Sequence, residues 1–308
     1  MTPPHIAVVG SLNMDLVWRV QALPQAGETV AASAFSHVPG GKGANQAVAA
    51  ARMGAHVTLV GRVGDDAFGA SLRAGLRADG IDLQHLQVSA DLPTGVAGIH
   101  VDEHGRNCIV VAPGANAALS PADIDSAAVS LCCADALLCQ LEVPLATVAH
   151  AIAMCAGAGV RTLLNPSPFQ PLPAELLAGV TGLLLNEVEA ANLCGMPVAD
   201  VATALSAARR LRAMGPRLVV LTLGERGVCV AQGESVVHLP AVKVSAVDTT
   251  AAGDTFAGAF AAYWAEGASA IEAAQQAQYA AALAVTRPGA QPSIPRRAEV
   301  QAFVLRHS

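Results

Sequence analysis

Short Val-, Ile- and Leu-rich runs alternate with alanine-rich stretches along most of the chain. Ile6–Val9, ending in Gly10-Ser11, predicts a buried first strand; Gly43–Met53 follows as a helix and His56–Val60 as another strand. Phe68–Asp79 has a helical pattern closed by Gly80. Further on, Ala136–Leu141, Arg161–Leu164, Gly182–Leu185 and Leu218–Leu221 read as strands. Leu145–Ala158, Glu187–Leu193 and Val201–Met214 read as the helices between them. Gly227–Ala231 and Ser235–Leu239 predict a hairpin at the sheet edge, and Asp254–Trp264 and Ile271–Val285 two long helices. Apolar strands alternating with helices predict an α/β fold: a three-layer αβα domain around a central, mostly parallel sheet.

Two segments, approximately 13–38 and 95–111, interrupt this rhythm. Leu16–Val38 contains the mixed polar and apolar run Val30–Phe35. Gly95–Val111 reads as two strands around the turn Asp102-Glu103-His104-Gly105. Neither segment has room for a crossover helix. Both are assigned to a small antiparallel sheet projecting from the main body as a lid. No repeat or flexible linker divides residues 1–308, so one domain with this appendage is expected.

Composition narrows the classes. Eighteen Lys and Arg against 24 Asp and Glu give a formal net charge of -6, which argues against a general nucleic-acid surface. No apolar run reaches the roughly 20 residues that span a bilayer. The opening Met1-Thr2-Pro3-Pro4-His5 lacks the basic start of a secretion signal. The seven cysteines, Cys108, Cys132, Cys133, Cys139, Cys155, Cys194 and Cys229, are odd in number and mostly in apolar surroundings. Free thiols in a reducing, cytoplasmic compartment are therefore expected.

Candidate chemistry concentrates after the predicted strands, where open α/β sheets bind ligands. In Val247-Asp248-Thr249-Thr250-Ala251-Ala252-Gly253-Asp254-Thr255-Phe256, small residues feed an apolar helix with an acid at its mouth. First-turn N–H groups and the helix dipole make such a place an anion site. A carboxylate there serves either as an ordinary helix cap or as a base that takes a proton from an attacking hydroxyl. The amides of Ala252, Gly253 and Asp254 could then hold a transferring phosphoryl group. Val38-Pro39-Gly40-Gly41-Lys42-Gly43-Ala44-Asn45 forms a second cluster, in which paired glycines permit close ligand approach or simply a tight turn. Asn13 and Asp15, beyond the first strand, suit vicinal hydroxyls or a self-bonded turn. Glu142 and Asn165 occupy similar strand-end positions. Asn186, Glu187 and Glu189 could organise Mg²⁺ through water or merely open a helix. Thr222-Leu223-Gly224-Glu225-Arg226-Gly227 could receive nucleotide phosphates or be a solvated hairpin tip. Together these features predict phosphoryl transfer to a small polyol or sugar.

Other chemistries fit poorly. The first strand carries no Gly-x-Gly-x-x-Gly, and no Walker-type loop or Gly-x-Ser-x-Gly elbow occurs. Cys132-Cys133 and Cys139 lack zinc spacing, and His100 with His104 brackets a turn. Arg209, Arg210 and Arg212 read as a solvated helix face.

Three motifs, in order along the chain, carry a resemblance. Gly10-Ser11-Leu12-Asn13-Met14-Asp15 comes first, then Gly40-Gly41-Lys42-Gly43-Ala44-Asn45-Gln46-Ala47, then Asp248 through Phe256. With Gln140-Leu141-Glu142, Asn186-Glu187-Val188-Glu189 and Val285-Thr286-Arg287-Pro288-Gly289-Ala290-Gln291, the chain resembles the ribokinase-like (PfkB) carbohydrate kinases from Ile6 to about Phe303. The resemblance implies ATP-dependent phosphorylation of D-ribose at O5, or of deoxyribose, another sugar or a nucleoside. A non-catalytic sugar-binding regulator is a remote alternative. It implies sugar contacts from Asn13, Asp15, Gly41, Lys42, Asn45 and Glu142, with Asp254 as base and the main-chain N–H groups of Ala251, Ala252 and Gly253 as the anion hole. It implies nucleotide contacts from Asn186, Thr222, Leu223, Gly224, Glu225, Arg226, Gly227, Gly253 and Gln278. Glu189 would place hydrated Mg²⁺. Asp248, Thr250, Ala284, Arg287, Gly289 and Ser293 would surround an activating K⁺, several through carbonyls. Homodimerisation through the lid is also implied, with neither nucleic acid nor membrane as partner. Two positions depart from the family pattern: Ala257 and Gln278 stand where many relatives have Asn.

Overall fold

The computed structural model describes residues 2–307. Nine strands form the main sheet in the order β13-β12-β11-β10-β9-β8-β1-β4-β5. They are β1 (His5–Val9), β4 (His56–Gly64), β5 (Leu86–Ser89), β8 (Ala136–Cys139), β9 (Arg161–Leu164), β10 (Gly182–Asn186), β11 (Leu218–Thr222), β12 (Val228–Gln232) and β13 (Ser235–Leu239). All neighbouring pairs are parallel except β11–β12 and β12–β13, the predicted edge hairpin.

Successive strand residues point to opposite faces, and each face is buried. Ile6, Val8, Leu138, Leu184 and Val220 enter one core. Ala7, Val9, Leu137, Leu183, Leu185 and Val219 enter the other. The first core is covered by α1 (Lys42–Arg52), α2 (Ala67–Ala78), α9 (Ala252–Ala265), α10 (Ala270–Ala284) and α11 (Arg297–His307). Opposite lie α3 (Pro121–Ser126), α4 (Ala128–Cys132), α5 (Leu145–Gly157), α6 (Ala174–Gly179), α7 (Glu187–Cys194) and α8 (Val201–Arg212). The three-layer αβα architecture follows from this division.

The alanine-rich sequence has a particular consequence at α1 and α9. A Cβ added at Gly258 would overlap the Gln46 carbonyl and lie 2.6 Å from the Ala49 Cβ. Gly258 therefore lets the two helix backbones approach closely. That approach puts Asn45 and Gln46 within reach of Asp254.

The second sheet has the order β3-β2-β6-β7, formed by β2 (Asn13–Val20), β3 (Ala32–Gly40), β6 (Gly95–Val101) and β7 (Asn107–Ala112). It is not wholly antiparallel, which corrects the sequence reading. Its central strands β2 and β6 pair in parallel, Asn13 opposite Gly95 through Arg19 opposite Val101. Each inserted segment starts on the same side and runs outward before turning back, so the two outgoing strands meet side by side. Asn13 and Asp15 open β2; they do not sit in a loop after β1.

Candidate active site

The site lies where the ends of the main strands meet the second sheet. Its centre is Asp254, 8% exposed in the first turn of α9. Asn45 Nδ2 donates to Asp254 Oδ2 and Gln46 Nε2 to Asp254 Oδ1, both at 2.9 Å. Asp254 is therefore no ordinary N-cap: the cap position is Ala251, in the left-handed region at φ 58. This conformation costs a residue bearing a Cβ roughly 1–2 kcal/mol, and it turns the chain into the helix beside the carboxylate. Of the expected anion-binding amides, Ala252 N–H points to the Thr249 carbonyl at 3.2 Å. Among the described residues nothing accepts from the Gly253 or Asp254 amide. These are orphan donors of the kind a helix start offers to an anion.

The hydroxyl-reading candidates converge on the same place. Asn116 Nδ2 donates to Asn13 Oδ1 at 2.8 Å, fixing that amide so its NH₂ remains available. The same Asn116 clamps both backbone groups of Leu12 at 2.9 Å. Glu142 accepts from Ser11 Oγ at 2.5 Å and from the Lys42 amide at 3.1 Å. Gly41 caps α1 at φ 88, and a Cβ there would lie 2.5 Å from the Asn13 nitrogen. This close approach brings the glycine motif against the start of β2.

Charge is crowded here. Burial, then repulsion from Glu142 and Asp254, pushes the Asp15 carboxyl up from 3.8 to about 7, against the pull of Lys42. Burial disfavours the Lys42 ammonium, yet Asp254, Glu142, Glu189 and Asp15 outweigh it and hold its pKa above the ordinary value. Four carboxyls thus act on one partly buried ammonium.

A cavity of about 240 Å³ opens beside Asp254, lined among others by Lys42, Asn165, Asn186, Glu189, Thr222 and Gly253. Glu189 is buried; its Oε2 accepts from the Asn186 backbone N–H at 3.0 Å, and Asn186 Oδ1 accepts from the Glu189 backbone N–H at 2.9 Å. Leu223, Gly224, Glu225, Arg226, Gly227 and Gln278 are not among the lining residues. Leu223 is in the core, and the Arg226 guanidinium is already engaged by Glu187 and the Ala199 carbonyl. Ala257 does line the cavity.

Asp248 joins two loops. Its Oδ1 accepts from Thr250 N and Oγ1, at 2.9 and 2.6 Å, and its Oδ2 from Gly289 N at 2.8 Å. These bonds hold its carboxyl below the usual range despite partial burial. Ala284 and Ser293 are buried nearby in sequence to that second loop, while Arg287 pairs with Glu299.

Sequence reading did not single out Asn116, Ser11, Gln46 or Gln140 as site residues. Asn116 stands 103 residues from Asn13 and is joined to it only by the fold. Gln46 did carry a signal, lying next to Asn45 on the one helix turn that faces Asp254.

Fold and site together are those of a carbohydrate kinase. The pfkB family carbohydrate kinase profile matches residues 3–297, and the chain belongs to that family. It is 41% identical over 297 residues to the ribokinase of Bacillus subtilis, covering 96% of this chain and 98% of that one. It is also 40% identical over 291 residues to a deoxyribokinase of Salmonella typhi, covering 94% and 95%. The solved structure of Arabidopsis thaliana ribokinase complexed with ribose and ATP superposes with a TM-score of 0.90 at 33% identity, covering 99% of each chain.

Proposed function

We propose that this protein transfers the γ-phosphoryl group of ATP to O5 of D-ribose, giving D-ribose 5-phosphate and ADP. The observation that carries the reading is the setting of Asp254. It is a carboxylate held by two amide donors at a helix mouth, beside two unclaimed backbone N–H groups and a cluster of hydroxyl-reading side chains. Asn13, Asp15, Gly41, Lys42, Asn45 and Glu142 bind the sugar. Asp254 accepts the O5 proton as the O5–P bond forms and the bond from γ-phosphorus to the bridging oxygen breaks, that oxygen leaving with ADP. The Gly253 and Asp254 amides stabilise the charge on the phosphoryl oxygens, and Ala251 and Ala252 shape the turn that presents them.

The cavity beside Asp254 suits the nucleotide phosphates, with Asn186 and Thr222 at its wall. Glu189 has one carboxylate oxygen uncommitted and fits a water-mediated Mg²⁺ contact. The loops of Asp248–Thr250 and Ala284–Ser293, pinned together through Asp248, fit a K⁺ held largely by carbonyls. When bound, these cations offset phosphate charge in a cleft that is otherwise rich in carboxylates. The second sheet acts as a lid that excludes water on closing. Phe35 and Val110 on one face of this sheet, and Ile109 and Val111 on the face that also carries Asn13 and Asp15, are apolar and exposed, which supports pairing of two lids in a homodimer. Cys139, Cys155, Cys194 and Cys229 are buried free thiols, consistent with a cytoplasmic protein; no helix among the described residues is long and apolar enough to cross a membrane.

A deoxyribose kinase is the second reading, favoured by an identity to the Salmonella typhi enzyme of 40%, against 41% to the Bacillus subtilis ribokinase. A coupled ADP-release assay across ribose, deoxyribose, fructose and nucleosides, with and without K⁺, tests both. Highest kcat/KM with ribose is expected; a preference for deoxyribose selects the second reading, and no sugar-dependent ADP release rejects both.

A further inference from the structure

Beneath Asp254 lies a line of buried amides that sugar and nucleotide contacts do not account for. Gln46 is 0% exposed and uses both hydrogens of its NH₂ group: one to Asp254 Oδ1 at 2.9 Å, the other to Asn165 Oδ1 at 3.1 Å. Its carbonyl accepts from Gln140 Nε2 at 2.6 Å. Asn165 in turn donates from Nδ2 to the Leu184 carbonyl at 2.8 Å, so its oxygen is the atom turned toward Gln46.

This pattern has one direction. Reversing Gln46 would set its oxygen against the Asp254 carboxylate and its NH₂ against that of Gln140, two repulsive contacts in a place without solvent. Gln140 is likewise 0% exposed, and its own oxygen is buried without a hydrogen-bond partner. An unsatisfied buried acceptor is costly. Turning Gln140 over would satisfy nothing at Gln46, whose oxygen needs a donor. The arrangement thus keeps an orphan oxygen at its far end and delivers an oriented donor to the carboxylate.

We propose that Gln46, oriented by Gln140, is a positioning residue for the reaction: it holds the Asp254 carboxylate in the rotamer that receives the sugar hydroxyl proton. This rests on Asp254 being the base. Neither glutamine touches substrate in the account above; each acts through the carboxylate, and Gln140 acts only through Gln46. Asn45 secures the other oxygen but also faces the sugar, so its loss would change binding as well.

The test compares Gln46→Met, Gln140→Met, the double variant and Asp254→Asn, by steady-state kinetics in both substrates. Losing one hydrogen bond to a charged group predicts a fall in kcat of about 10- to 100-fold for Gln46→Met. KM for sugar and ATP should stay within about threefold of wild type, since no binding contact is removed. Gln140→Met should lower kcat less, and the double variant should be no slower than Gln46→Met alone, because one residue acts through the other. If Gln46→Met does not fold, Gln46→Ala carries the same prediction, as it removes the same donor without adding bulk or charge. Unchanged kcat in folded Gln46 variants, a loss confined to KM, or additive losses in the double variant would overturn the proposal. Should Asp254→Asn itself keep wild-type kcat, the assignment of the base fails instead.

Discussion

Asp15 gives a prediction in which function and stability oppose each other. It is 9% exposed, faces Glu142 and Asp254, and its carboxyl is pushed from 3.8 to about 7. Because the folded-state value is raised, the proton is held more tightly in the native than in the unfolded chain. Its contribution to stability is full below about pH 4 and is lost as pH rises through about 7. The span is roughly three pH units at about 1.4 kcal/mol each, an upper bound of about 4 kcal/mol. Between pH 5 and pH 8 the sugar-free wild type should lose about 2–3 kcal/mol through this group, a loss absent from Asp15→Asn. Urea unfolding of both proteins at several pH values measures the difference. Asp15→Asn should be the more stable protein at pH 8, yet its sugar KM should rise about 10- to 100-fold, since a charged acceptor of hydroxyl bonds is lost. Parallel pH–stability curves for the two proteins would refute the reasoning.

Other consequences are equally open to measurement. Gly41→Ala places a Cβ against the Asn13 nitrogen at a positive φ, so it should destabilise by about 1–3 kcal/mol in thermal unfolding and raise the sugar KM. Asn13→Ala should weaken sugar use with little change in ATP KM, and unchanged sugar kinetics would remove Asn13 from the binding set. Replacing K⁺ by tetramethylammonium should lower kcat of the wild type, whereas Asp248→Ala should be slow with either cation. A wild type indifferent to the exchange would dismiss the proposed cation loop.

Much of the main sheet was legible because buried parallel strands are short apolar runs; Arg161–Leu164 matches its predicted bounds. β5 was not foreseen: Leu86–Ser89 is a four-residue edge strand, buried only at its ends. The capping box at Ser120, closed by Asp123, announces α3 in sequence, but six residues are too few to show a helical period. The parallel pairing of β2 with β6 depends on two segments about 80 residues apart meeting at one edge, which no local pattern records. The site divides the same way. Glycine motifs and the helix-mouth acid stand out because their backbone demands are local. Asn116 and Gln140 gain meaning only through partners 94 or more residues distant.

The central claim is that Asp254 takes the proton from the reacting hydroxyl. Purified Asp254→Asn should unfold like the wild type and bind ATP and sugar within a few-fold by calorimetry, while kcat falls by about 10²–10⁴-fold. A kcat near that of the wild type would contradict the account.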